Sequence, residues 1–125
     1  MSSKLVAFLA ALIFGLVIAG WAADDSGSHS SRVSVASSYG PGLYGNQLAC
    51  GGRLYRSTIA VAHKYLRCGT RIRVCYRSRC SYARVRDRGP WVRGRDLDLT
   101  EALTYRLCGC SATRWGVRRV QWVVT

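Results

Sequence analysis

Three stretches of the chain alternate apolar and polar residues with period two. In RIRVCYR, Ile72, Val74 and Tyr76 fall on one face while Arg71, Arg73 and Arg77 fall on the other, the pattern of a strand buried on one side. In YARVRDR, Ala83, Val85 and Asp87 lie opposite Arg84, Arg86 and Arg88, which predicts an inward Asp87 at the rim of the fold. RRVQWVVT turns Val120, Trp122 and Val124 inward and is rich in strand formers. YGPGLYGN, RCGT and DRGP supply turn signals between the runs. A helix is predicted over LTEALTYRL, where Asp98 and Thr100 are competent N-caps, Glu101 occupies the first turn and Cys108-Gly109 ends the element. A second helical turn is expected within TIAVAHKYL. The whole reads as a small, mainly β, closed structure with one or two short helices.

Upstream of this domain the pattern changes. Lys4 precedes the apolar run LVAFLAALIFGLVIA and the small residues of AGWAA, the form of a secretory signal peptide. Cleavage after Ala22 leaves Gly20 and Ala22 as the required small pair, so residues 1–22 are read as the signal. The alternative is an uncleaved anchor, because Leu5 to Ala23 is long enough to span a bilayer. Residues 23–32 read as a flexible linker and 33–125 as the domain. The expected location is secreted or attached to the cell envelope, with membrane contact only through an uncleaved N-terminal segment.

Export and small size make a disulfide framework the expected use of the six cysteines. Cys75 and Cys80 bracket a hairpin turn and would face each other across two strands. Cys50 and Cys68 flank the first apolar segment. Cys108 and Cys110 are left over, as a bond across Gly109 or as zinc ligands; no Cys-x-x-Cys or His-x-x-x-His pair accompanies the zinc reading. No metal and no cofactor are expected.

Charge narrows the partner. The net charge is +13, and of nineteen basic residues only Lys4 and Lys64 are lysine. An anionic partner follows, and export without nucleic-acid motifs favours wall polymers or anionic surfaces over specific nucleic acid. Outside the linker the acids are Asp87, Asp96, Asp98 and Glu101, and the single histidine is His63. Any acid–base chemistry must come from these five. Asp87 reads either as a partly desolvated acid or as an acceptor of turn and arginine hydrogen bonds. Asp98 reads first as a helix cap and second as an acidic site group, Asp96 as a surface partner of arginine, and His63 as a core histidine. Tyr39, Tyr44, Tyr55, Trp91 and Trp115 could stack on sugar rings or simply pack. No nucleophile elbow, phosphate loop or metal cluster is present.

SYGPGLYGNQLACGGRLY, IAVAHKYLRCGTRIRV and RVRDRGPWVRGRDLDLT resemble, in order, the motifs of the RlpA-like double-psi β-barrel family. The resemblance implies a barrel of about six strands whose groove binds polysaccharide, with distant relation to expansins and barwin-type proteins. It implies lytic transglycosylase activity on peptidoglycan glycan strands, with Asp87 and His63 linked to catalysis and Asp98 in the groove. It further implies substrate contacts from Tyr39, Tyr44, Gly51, Gly52, Arg88 and Trp91, and a monomer. One departure stands out: LACGG replaces the TANGE of many active members, so Gly52 occupies a glutamate position. The alternative is therefore a non-catalytic, expansin-like wall-binding and loosening module.

Overall fold

The computed structural model describes residues 30–125; the signal segment and residues 23–29 of the linker lie outside the described residues. The chain runs β1 (Arg32–Tyr39), β2 (Ala60–Ala62), β3 (Arg71–Tyr76), β4 (Arg79–Asp87), β5 (Leu97–Thr100), α1 (Glu101–Cys108), α2 (Ala112–Trp115) and β6 (Arg118–Val124). The strands close into a barrel in the order β1-β5-β2-β4-β3-β6. Two pairs, β1 with β5 and β2 with β4, are parallel, and the other four are antiparallel. Closure leaves no free sheet edge.

The period-two strands form as their patterns predict. Ile72 and Val74 of β3, Ala83 and Val85 of β4, and Val120 and Trp122 of β6 enter one core with Ala36, Val61, Leu97, Leu99, Leu103, Leu107 and Trp115. Both buried indoles find acceptors: Trp115 Nε1 donates to the Ala36 carbonyl at 3.0 Å and Trp122 Nε1 to Ser34 Oγ at 2.9 Å. Each large ring thus fills the interior without stranding its N–H. The cysteines pair as Cys50–Cys68, Cys75–Cys80 and Cys108–Cys110, which removes the zinc reading of the last pair.

Two expectations fail here. TIAVAHKYL forms no helical turn: Ala60, Val61 and Ala62 are a strand, buried at every position and paired on both sides. A short run with two covered faces lacks the alternation that marks a strand, so its sequence is ambiguous. Asp98 is not the helix cap. The N-cap position is Thr100, and its hydroxyl accepts from Ala60 N at 3.1 Å instead of closing the helix end. Asp98 belongs to β5. The second helix is α2, capped by Ser111, whose Oγ accepts from Arg114 N.

Glu101 braces this end of the barrel. Its Oε1 accepts from the Tyr44 hydroxyl at 2.8 Å and its Oε2 from Ala112 N at 3.0 Å. Those bonds, led by the Ala112 amide, hold its carboxyl below the ordinary glutamate range. Tyr44 reaches Glu101 by crossing Gly40, where a Cβ would stand 2.7 Å from the Tyr44 hydroxyl oxygen and 3.1 Å from Glu101 Cβ. Gly40→Ala is expected to lower stability by about 1–3 kcal/mol through this overlap, seen as a reduced midpoint in thermal denaturation; an unchanged midpoint would show that Tyr44 is free to move.

Candidate functional site

The ladder between β2 and β4 is interrupted by a register shift: Val61 pairs with Val85, but Ala62 pairs with Asp87. A regular ladder would give Arg86 that place. Ala62 is also the partner of Asp98 on β5, and Asp98 is the partner of Ser37 on β1. Asp87, Ala62, Asp98 and Ser37 therefore form one row across four strands. The two acidic backbones stand one strand away on either side of Ala62, about 10 Å apart by sheet geometry.

Asp87 is half-buried at the strand end and firmly held. Its Oδ1 accepts from Ala49 N and from Arg88 N, each at 2.9 Å. Gly51 and Gly52 shape the loop that presents the first donor: both have positive φ, 97° and 73°, and Leu48 N donates to the Gly52 carbonyl. A Cβ on Gly52 would lie 3.4 Å from Arg86 Nη2. Cys50–Cys68 ties the same loop to the segment after β2.

Asp98 has a different environment. Burial pushes its pKa up to about 6; Ser37 and Arg95 oppose the shift and the charge of Asp87 adds to it. Its Oδ1 and the Tyr39 hydroxyl are the two buried side-chain polar atoms without a partner among the described residues. Burial, followed by the charges of Asp87 and Asp98, drives the Tyr39 pKa well above the ordinary tyrosine value. Tyr39 leans on Asp87 closely enough to be shifted by it, short of a fully formed hydrogen bond. The row thus holds one donor and one acceptor that are both desolvated and both unpaired among the described residues.

The remaining residues divide into framework and free surface. His63 Nδ1 accepts from Tyr65 N and Leu66 N, each at 3.0 Å, which puts the proton on Nε2, and its ring meets Trp122 edge-on at 5.6 Å. Burial holds its pKa below the usual histidine value. Arg88 donates from Nη1 to the carbonyls of His63 and Leu66 and from Nη2 to Cys68 Sγ, and Tyr44 is committed to Glu101. Trp91, after the cis Gly89–Pro90 bond, is 75% exposed and has a ring available for stacking. Asp96 is exposed, and its N–H donates to the Val35 carbonyl. Ser37 and Ala62 join the row although neither carries a recognisable motif. Only the strand register reveals them.

No protein-family model matches the chain. It is 38% identical over 68 residues to a probable endolytic peptidoglycan transglycosylase RlpA of Synechocystis, the match covering 53% of this chain and 21% of that protein. It is 40% identical over 74 residues to the protein of the same name from Aquifex aeolicus, covering 58% of this chain and 33% of that one. Among solved structures, a Clavibacter michiganensis expansin superposes with a TM-score of 0.60 at 21% identity, over 77% of this chain and half of the other. The domain shares the double-psi β-barrel fold of that expansin and resembles the RlpA proteins in sequence. The chain spans a fifth to a third of the length of the curated relatives it matches, so the RlpA likeness concerns this barrel. A variant of the same expansin was solved with cellohexaose, at a TM-score of 0.59 and 20% identity.

Two stability measurements separate the roles within this barrel. The folded-state pKa of Asp98 lies above its ordinary value, so its contribution is fully present below about pH 4 and is lost as pH rises through about 6. Asp98→Asn is therefore expected to stabilise the fold at pH 8, by about 1–2 kcal/mol after allowance for partial exposure, with the gain vanishing near pH 4. Denaturant melts at both pH values check this; a loss at pH 8 would contradict the burial argument. His63→Phe keeps a ring against Trp122 but strands two amides, at a cost of about 1–3 kcal/mol. Hydrogen exchange at Tyr65 and Leu66 should quicken; unchanged protection there would show that His63 is not their anchor.

Proposed function

We propose that this chain is an exported protein that binds cell-wall glycan and cleaves peptidoglycan strands by lytic transglycosylation. The observation that carries the reading is the row Asp87–Ala62–Asp98–Ser37, which sets two carboxyls of unlike environment on either side of Ala62 and within electrostatic reach of Tyr39. The names of the RlpA relatives support the substrate class, and the exposed Trp91 supports sugar stacking.

In this reading Asp98 takes the acid–base role that the sequence suggested for Asp87. Glycoside cleavage needs a carboxyl that carries a proton near neutral pH, and burial prepares Asp98 for this. Protonated Asp98 donates to the glycosidic oxygen as the bond to the anomeric carbon breaks. The muramic acid C6 hydroxyl then attacks that carbon, and Asp98 takes its proton, so the product is an anhydro sugar and no water is consumed. Asp87, fixed by two amides, faces the positive charge that develops on the ring. Tyr39 donates to a sugar hydroxyl, and His63 with Arg88 holds the loop that borders the row.

Digestion of purified peptidoglycan followed by mass spectrometry tests the reading. The wild type should release anhydro-muropeptides, Asp98→Asn should lower the rate at least about a hundredfold, and the wild-type rate should fall as pH rises above about 6. Hydrated reducing ends in place of anhydro ends, or full activity in Asp98→Asn, would overturn it. Gly52 favours a second reading, expansin-like binding and loosening without cleavage, since its turn brings Arg86 rather than a carboxylate to the loop. That reading predicts wall binding and loosening with no released muropeptide from the wild type.

A further inference from the structure

The outer face of the β3–β4 hairpin concentrates charge that the acidic row does not use. Arg71 and Arg84 are direct register partners, an arrangement in which like charges normally destabilise a sheet. The fold fixes the pair in place. Arg71 Nε donates to Thr125 Oγ1 at 3.0 Å with its guanidinium 4.8 Å from the Tyr82 ring centre, and Arg84 Nη1 donates to the Gly69 carbonyl at 2.9 Å. Arg86, two residues further along β4, and Arg106 from α1 complete a cleft of about 270 Å³ with no acidic residue in its lining. Both are exposed. Arg86 also borders Gly52, so the cleft begins where the loop of the acidic row ends.

We infer that this cleft is a separate binding site for an anionic polysaccharide, a chain with acidic groups on successive sugars. Guanidinium forks match carboxylate, phosphate and sulfate groups in bidentate fashion. Arg84 and Arg86 repeat along the strand at about 7 Å, a spacing that serves a linear polyanion. Tyr82, 52% exposed, offers an aromatic surface to the sugar between charges. The concave lining suits a chain rather than the flat surface of a bilayer. The choice of a glycan rests on the wall-acting reading above; the anionic character rests on the cleft alone.

Binding of the full chain to polygalacturonate, to a neutral glucan of equal length, to single-stranded DNA and to anionic phosphatidylglycerol vesicles tests the inference over a range of salt. Polygalacturonate should bind tightest. Arg86→Gln/Arg106→Gln should weaken that binding at least about tenfold and make the salt dependence shallower by about one to two charges, with an unchanged thermal midpoint. Arg114→Gln/Arg119→Gln, which removes equal charge elsewhere, should stay within about twofold of wild type. Equal loss in both pairs would reduce the effect to net charge and overturn the site, and tighter binding to DNA or vesicles would overturn the glycan assignment. Asp98→Asn should bind polygalacturonate as wild type does, which keeps a failure of the catalytic reading distinct from a failure of this one.

Discussion

The pairing of Ala62 on both sides is the constraint on which the site depends. One short strand, buried at all three positions, meets Asp87 through a register shift and Asp98 through an ordinary antiparallel step. Without the shift, Arg86 would oppose Ala62 and the two acids would not share a row. A bulged ladder of this kind re-aims one side chain at little cost to the rest of the sheet. Tyr39, two residues beyond Ser37, comes under the influence of both charges.

Two acids in one row acquire different chemistry because their surroundings differ. Asp87 meets backbone amides through a loop turned by two glycines with positive φ and tied by Cys50–Cys68. Asp98 meets mostly burial, and its Oδ1 is unpartnered among the described residues. A buried carboxyl oxygen without a partner costs stability, and sites of this kind commonly coincide with function. His63 Nδ1, Arg88 Nη1 and the Glu101 carboxylate serve the frame: the first binds two amides, the second two carbonyls, the third Tyr44 and Ala112. Of the four carboxylates in the domain, Asp87 and Asp98 are the two that share the row.

Much of the barrel was legible in the chain. Strands with one wet face announce themselves by period two, and Ile72, Val74, Ala83, Val85, Val120 and Trp122 all enter the core as the alternation requires. Turns and apolar segments favoured Cys75–Cys80 and Cys50–Cys68 without deciding the connectivity, and Cys108 and Cys110 were left between a bond and zinc until the structure paired them. β2 was not legible, because a strand covered on both faces has no alternation to show. Asp98 was misread as a cap for a local reason: it precedes a helical pattern, but the strand continues through Thr100, whose hydroxyl is taken by Ala60. Asp87 was placed at the rim by parity, yet its partners came from a register shift and from Ala49, 38 residues away. Such contacts arise from closure of the barrel and leave no mark in local sequence.

The central claim is that burial makes Asp98 the proton-carrying group of the row. Site-specific titration of the Asp98 carboxyl carbon by NMR, in the folded wild-type protein without ligand, measures this directly. A midpoint near pH 6 is expected, moving downward in Asp87→Asn as the neighbouring charge is removed. A midpoint near pH 4, the value of an exposed aspartate, would contradict it.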